Sequence, residues 1–318
     1  MFPLGSQPLD RNALRQHVDA ALAPLLAATP ARVSLSLRDL DGNIVLAHHA
    51  DRVQPSASII KVPILLALLE AMANGRYALE QPLALPACGD RAGGTGILAQ
   101  LPSVASLSLA ELARLMIVLS DNAATNALID LLGFDAINQW SQRARLAASR
   151  LQRRMMDTAA REAGRDNFTS ADDATAALCW MLRDGMLPPP LRTFALDLLA
   201  DQRERAHFGA ALPAPAHLAS KAGQLPGLRH DAGILTVADR SVVLAVLADG
   251  FTDWQTAQTL QGGEGAALLG QIARAVALGL KAQATHTDKE PACPSEWQPS
   301  SSIAAVTAMP TWRRWNIG

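Results

Sequence analysis

In Ser58-Ile59-Ile60-Lys61-Val62-Pro63-Ile64-Leu65-Leu66-Ala67-Leu68-Leu69-Glu70, a serine and a lysine stand three residues apart at the head of an apolar run. The run closes at Glu70, well short of the roughly 18 apolar residues of a membrane span. It predicts a buried helix over 58–73, with Pro63 accommodated only near the beginning. On a helix, positions i and i+3 share a face, so the hydroxyl of Ser58 and the amine of Lys61 can meet. A serine hydroxyl is a poor nucleophile until a neighbouring base takes its proton. A lysine amine can do so only if burial or nearby positive charge lowers its pKa. Taken alone, the pattern also fits a capping serine beside a surface lysine.

Upstream, Asp10 can cap a helix whose apolar positions Leu14, Val18, Leu22 and Leu25 repeat at helical spacing before Pro30. Strand-like segments over 33–37 and 44–48 are separated by Asp41-Gly42-Asn43, a hairpin turn. Downstream, residues 77–199 read mostly as helices and loops. They include a glycine-rich loop at Gly93-Gly94-Thr95-Gly96, capping-box spacing at Ser108 and Glu111, and a similar cap at Ser170 and Asp173. Strands return over 218–223, 232–237 and 241–247, and a helix over 266–281 closes the fold. Strands at both ends of a helical middle imply one sheet assembled from distant segments, with the first and last helices on one face. Residues 284–318 hold Pro, Ser, Thr and scattered Trp without periodicity and are expected to be a disordered tail. No internal repeat is visible.

Two further stretches could carry chemistry. Ser120-Asp121-Asn122 ends the run Leu115-Met116-Ile117-Val118-Leu119, where an ordinary helix boundary would also place Ser or Asp. Lys221-Ala222-Gly223 lies in a strand-like segment, where a buried lysine is costly unless paired and an edge lysine would reach solvent. Gly223 would let a substrate backbone approach the strand closely.

Together the three stretches resemble the Ser-x-x-Lys, Ser-Asp-Asn and Lys-Thr-Gly motifs of the class A β-lactamases and penicillin-binding proteins, in that order. The chain contains only four lysines, and two of them fall on motif positions. The resemblance extends over roughly residues 10–283 and takes in the glycine-rich loop, residues 115–133 and residues 221–233. It implies an α/β fold: a class A β-lactamase-like sandwich whose antiparallel sheet is flanked by N- and C-terminal helices, with an all-helical subdomain. Residues 1–9 would be an N-terminal extension. The sheet part would span about 10–57 and 200–283, and the helical part about 58–199.

The resemblance also implies roles. Ser58 would attack an amide, lactam or ester carbonyl, and Lys61 would take its proton. Ser120 would pass a proton to the leaving group. Asn122 would bind the substrate's side-chain amide and help place Lys61, while Lys221 would attract a substrate carboxylate and hold Ser120. The backbone N–H groups of Ser58 and Gln224 would form an oxyanion hole, of which one donor is typically worth about 10²–10³ in rate.

Two departures stand out. Ala222 replaces the usual Thr or Ser of the third motif, removing a hydroxyl for the carboxylate. In Leu151-Gln152-Arg153-Arg154-Met155-Met156-Asp157, Met155 falls where the family carries the Glu that activates the deacylating water. Asp157, and after it Glu162, could substitute; an ion pair from Asp157 to Arg153 or Arg154 is the structural alternative. The expected activity is therefore β-lactam hydrolysis of modest efficiency. An esterase, amidase or D-amino-acid peptidase on the same scaffold, or a module that captures or is acylated by a ligand without turnover, are the alternatives.

The remaining features narrow the field. A net charge of −1 and 49% apolar residues describe a globular protein and not a nucleic-acid binder. The resemblance implies a small-molecule substrate, and no membrane partner and a monomeric state are expected. Cys88, Cys179 and Cys293 are odd in number and far apart, suggesting neither disulfides nor zinc. His48-His49 has no nearby Glu, and no metal or cofactor is expected. His207, His217 and His230 could touch substrate or serve the core, and Arg229 and Arg205 are candidate carboxylate partners. Residues 1–10 lack a basic and apolar leader, so a cytoplasmic location is expected of the sequence as written, and a periplasmic or secreted one if translation starts upstream.

Overall fold

The computed structural model describes residues 1–252 and 263–287. The chain runs α1 (Arg11–Ala28), β1 (Arg32–Arg38), β2 (Ile44–His48), β3 (Gln54–Pro55), α2 (Lys61–Ala73), β4 (Pro82–Ala84), β5 (Ser106–Ser108), α3 (Leu109–Val118), α4 (Asn122–Leu132), α5 (Phe134–Arg143), α6 (Thr158–Glu162), β6 (Phe168–Thr169), α7 (Ala171–Leu182), α8 (Pro189–Ala200), β7 (His217–Leu225), β8 (Leu228–Val237), β9 (Arg240–Asp249) and α9 (Gly263–Thr287). A five-stranded antiparallel sheet has the order β2-β1-β9-β8-β7. N- and C-terminal strands interleave because β1 pairs with β9, placing Leu35 opposite Val246.

Both faces of the sheet are covered, so its central strands are buried almost throughout: β9 is apolar over 242–248, while β1 carries the buried Ser34 and Ser36 and β8 the buried Arg229, His230 and Asp231. Along β9, Val242, Leu244 and Val246 pack with Leu14 and Val18 of α1 and Ile272 and Val276 of α9. The intervening Val243, Ala245 and Leu247 face the helical half, where α2 lies at the centre. Residues 61–69 of α2 are all buried, as expected of a helix apolar on every side. The predicted caps form: Asp10 Oδ1 accepts from the N–H groups of Asn12 and Ala13, and Ser108 and Glu111 close a capping box.

The N-terminal extension expected over residues 1–9 is docked: Phe2 is buried, Gly5 N donates to Ser241 Oγ at 2.7 Å, and Ser6 Oγ to Asp239 Oδ2 at 2.7 Å. At the other end, residues 284–287 continue α9 in place of starting a tail. The rest of the tail expected over 284–318, with Cys293, lies outside the described residues.

Candidate active site

The predicted helix over 58–73 begins as a 3-10 turn, Ala57–Ile60, that runs into α2. Ala57 adopts φ 44°, a conformation that L residues rarely occupy and one that functional sites concentrate. Strand β7 passes directly beside this turn. A Cβ on Gly223 would stand 3.1 Å from Ser58 N and 3.2 Å from Ala57 Cβ, which is why that strand position carries no side chain.

Ser58, Lys61, Ser120 and Asn122 converge in one hydrogen-bonded chain. Ser120 Oγ lies 2.9 Å from Ser58 Oγ, and Lys61 Nζ lies 2.9 Å from Ser120 Oγ. Lys61 Nζ also donates to the Ser120 carbonyl at 2.7 Å and to Asn122 Oδ1 at 3.0 Å. Ser120 sits at φ 55°, held by that carbonyl, which accepts from Thr95 Oγ1 at 2.7 Å as well. Asp121 caps α4 through Oδ1 while Oδ2 accepts from the N–H groups of Ile97 and Leu98, so one buried carboxylate ties the glycine-rich loop to the helix. Gly96, at φ 97°, has no room for a Cβ against that carboxylate.

Lys61 is buried, and burial pushes its amine well below the ordinary lysine range; the charge of Lys221 pushes the same way and Asp121 opposes. An uncharged amine fits this environment. Its two N–H groups serve the Ser120 carbonyl and Asn122 Oδ1, leaving the lone pair for the Ser120 hydroxyl, which in turn can accept the Ser58 proton.

A cavity of about 730 Å³ opens on these groups. Ser58, Ser120, Asn122, Lys221, Gly223 and Gln224 all border it, as do Arg229 and Glu204. Lys221 Nζ does not hold Ser120 as expected. It donates instead to Gln202 Oε1 at 3.2 Å and to the Ala222 carbonyl at 2.8 Å. Burial lowers the Lys221 amine to about 8, with Asp231 and Glu204 opposing. Asn122 Nδ2 is engaged too, donating to the Gly93 carbonyl at 3.0 Å.

The opposite wall is different. Met155 and the exposed Met156, at φ 64°, border the cavity. Asn126 fixes the Met155 backbone, accepting from its N–H at 2.8 Å and donating to its carbonyl at 3.2 Å. Asp157 also borders the cavity but makes no ion pair with Arg153 or Arg154; Oδ1 caps α6 by accepting from Ala160 N at 2.9 Å. The two arginines pair elsewhere, Arg153 with Asp166 at 2.7 Å and Arg154 with Asp130 at 2.6 Å. Glu162 is exposed at the end of α6 and does not border the cavity.

Of the candidate carboxylate partners, Arg229 borders the cavity, whereas Arg205 binds the backbone carbonyls of Leu218 and Ala200. His207, His217 and His230 are not among its lining residues. His230 joins the Pro55 carbonyl at 2.9 Å, tying β8 to the segment before Ser58. Sequence reasoning did not single out Gln202, Glu204 or Met156. Thr95 was visible only as part of the glycine-rich loop.

The family model described as the beta-lactamase enzyme family matches residues 16–278. A beta-lactamase of Streptomyces albus G is 28% identical over 235 residues, covering 71% of this chain and 75% of its own length. The beta-lactamase of Sphaerobacter thermophilus superposes with a TM-score of 0.71 at 28% identity, over 84% of this chain and 98% of that one. PBP-A gives 0.72 at 27% identity, over 89% and 100%. A leucine-to-glutamate variant of PBP-A, solved as its acyl-enzyme complex with penicillin G, gives 0.71 at 26% identity, over 87% and 99%.

Proposed function

Because the chain belongs to the beta-lactamase enzyme family, and is a serine hydrolase with the class A fold, we propose that it opens β-lactam rings through an acyl-enzyme on Ser58 that it releases slowly. The observation that carries this reading is the chain Ser58–Ser120–Lys61, with both links at 2.9 Å.

In the proposed acylation, Ser58 Oγ attacks the lactam carbonyl while its proton passes through Ser120 Oγ to the uncharged Lys61 amine. The N–H groups of Ser58 and Gln224 receive the developing oxyanion. Collapse of the tetrahedral intermediate breaks the C–N bond, and Lys61 returns the proton to the departing nitrogen through Ser120. Lys221 and Arg229 bind the substrate carboxylate, with Ala222 contributing no hydroxyl.

Release requires a base for water on the far side of the ester. Met155 offers none, and the loss of a general base typically costs about 10²–10⁴ in the step it serves. Asp157 is the acid on that wall, with Oδ1 committed to the α6 cap. That a leucine-to-glutamate variant of PBP-A has been captured as an acyl-enzyme with penicillin G supports the same acylation chemistry here. Met155 also favours a second reading, in which the natural substrate is an ester or peptide whose acyl group leaves by another route, or the protein is a covalent trap.

The test is intact-protein mass after adding penicillin G, beside Ser58→Ala. An increase of one penicillin mass that requires Ser58 is expected. A wild-type protein that neither carries an adduct nor hydrolyses penicillin G would sink the β-lactam reading.

A further inference from the structure

Gln202 follows α8, is 2% exposed and borders the cavity. All four of its hydrogen-bonding positions are filled. Nε2 donates to the Glu204 carbonyl and to Ser220 Oγ, each at 3.1 Å. Oε1 accepts from Ala222 N at 2.6 Å and from Lys221 Nζ at 3.2 Å. The amide has only one workable orientation, since a backbone N–H and an ammonium only donate and the Glu204 carbonyl only accepts. Strand β7 lies at the edge of the sheet, so without Gln202 the Ala222 N–H would lack this partner.

We propose that Gln202 is a positioning residue: it fixes the Lys221 ammonium so that its remaining N–H faces the substrate carboxylate, and so offsets the hydroxyl missing from Ala222. The inference rests on the carboxylate role given to Lys221 above. With Gln202 Oε1 and the Ala222 carbonyl holding two of the three ammonium N–H groups, one is left for substrate. The other ionisable neighbours of Lys221 are Asp231 from β8, Glu204 from the segment after α8, Lys61 from α2, His207 ahead of the turn Phe208–Ala211, and Arg229 on the same cavity. Gln202, unlike these neighbours, does not ionise, and it directs the ammonium without cancelling its charge.

The experiment measures second-order acylation rates against pH for penicillin G, which carries a carboxylate, and for the neutral ester phenyl acetate, in the wild type, Gln202→Met, Gln202→Glu and Lys221→Ala. Gln202→Met is expected to lower the penicillin-to-ester ratio about tenfold and to move the alkaline limb of the penicillin profile down by about one pH unit, since the ammonium loses an acceptor. Gln202→Glu should move that limb upward. A purely structural role would slow both substrates alike and leave the limb in place, and that result would overturn the inference. Should Gln202→Met fail to fold, the near-isosteric Gln202→Glu decides alone, an unmoved limb again overturning it. Lys221→Ala separates the two layers: if it leaves the ratio unchanged, the proposed role of Lys221 falls and the inference with it. If it collapses the ratio while the Gln202 variants behave like wild type, only the inference falls.

Discussion

The two walls of the cavity are held with equal care and equipped very differently. On one, Ser58, Lys61, Ser120 and Asn122 form a continuous path for a proton, with strained backbone at Ala57 and Ser120. On the other, the segment around Met155 is pinned by Asn126 and by the nearly buried Arg153–Asp166 pair, yet it presents two thioethers. Rigidity and chemistry are therefore separable. A loop can be positioned as a reacting group would need and still carry no group that reacts. The wall proposed to form the ester carries a full relay, and the wall that would hydrolyse that ester lacks a dedicated base.

The sharpest way to break this contrast is on the complete wall. Lys61→Met should cut acylation by penicillin G by about 10²–10⁴, because the relay then ends without a base; quenched-flow mass measurements would show it. On the incomplete wall, Met155→Glu should accelerate decay of the adduct by about 10² or more while leaving its formation nearly unchanged. An effect on formation would mean that the two walls are not independent.

Acidity sharpens the comparison further. Lys61 must be uncharged to accept a proton, so acylation should rise with pH as its buried amine, held well below the ordinary lysine range, deprotonates. The Lys221 amine, lowered to about 8 by burial, loses its charge as pH climbs through that value. Acylation by carboxylate-bearing substrates should then fall, giving a bell whose alkaline limb is absent for a neutral ester. The smallest effect concerns the scaffold. Asn126→Ala removes two hydrogen bonds to the Met155 backbone and should cost about 1–3 kcal/mol, read as a lowered thermal midpoint.

Much of the wall proposed to acylate was legible in the sequence, because its candidate groups are residue identities at short spacing: Ser58 with Lys61, and Ser120 with Asn122. Helix caps at Asp10 and Ser108 were legible for the same local reason. What escaped was whatever depends on partners far along the chain. Gln202 gains its meaning only when β7 lies beside it, and residues 1–9 dock through contacts more than 200 residues away, such as Gly5 with Ser241. Asp157 was open between a base and an ion pair; a third use, capping α6, occupies one of its oxygens. Strand β8 begins four residues before the apolar stretch that marked it, because Arg229, His230 and Asp231 are polar yet buried, and β9 runs on through Ala248 and Asp249.

The central claim, that formation of the acyl-enzyme outpaces its release because Met155 occupies the place of a base, is tested most directly by following the penicillin G adduct over time in the wild type and in Met155→Glu. The account predicts an adduct that accumulates and persists in the wild type and decays rapidly in the variant. A wild-type protein that turns over penicillin G without accumulating adduct, or a variant whose adduct persists equally long, would contradict it.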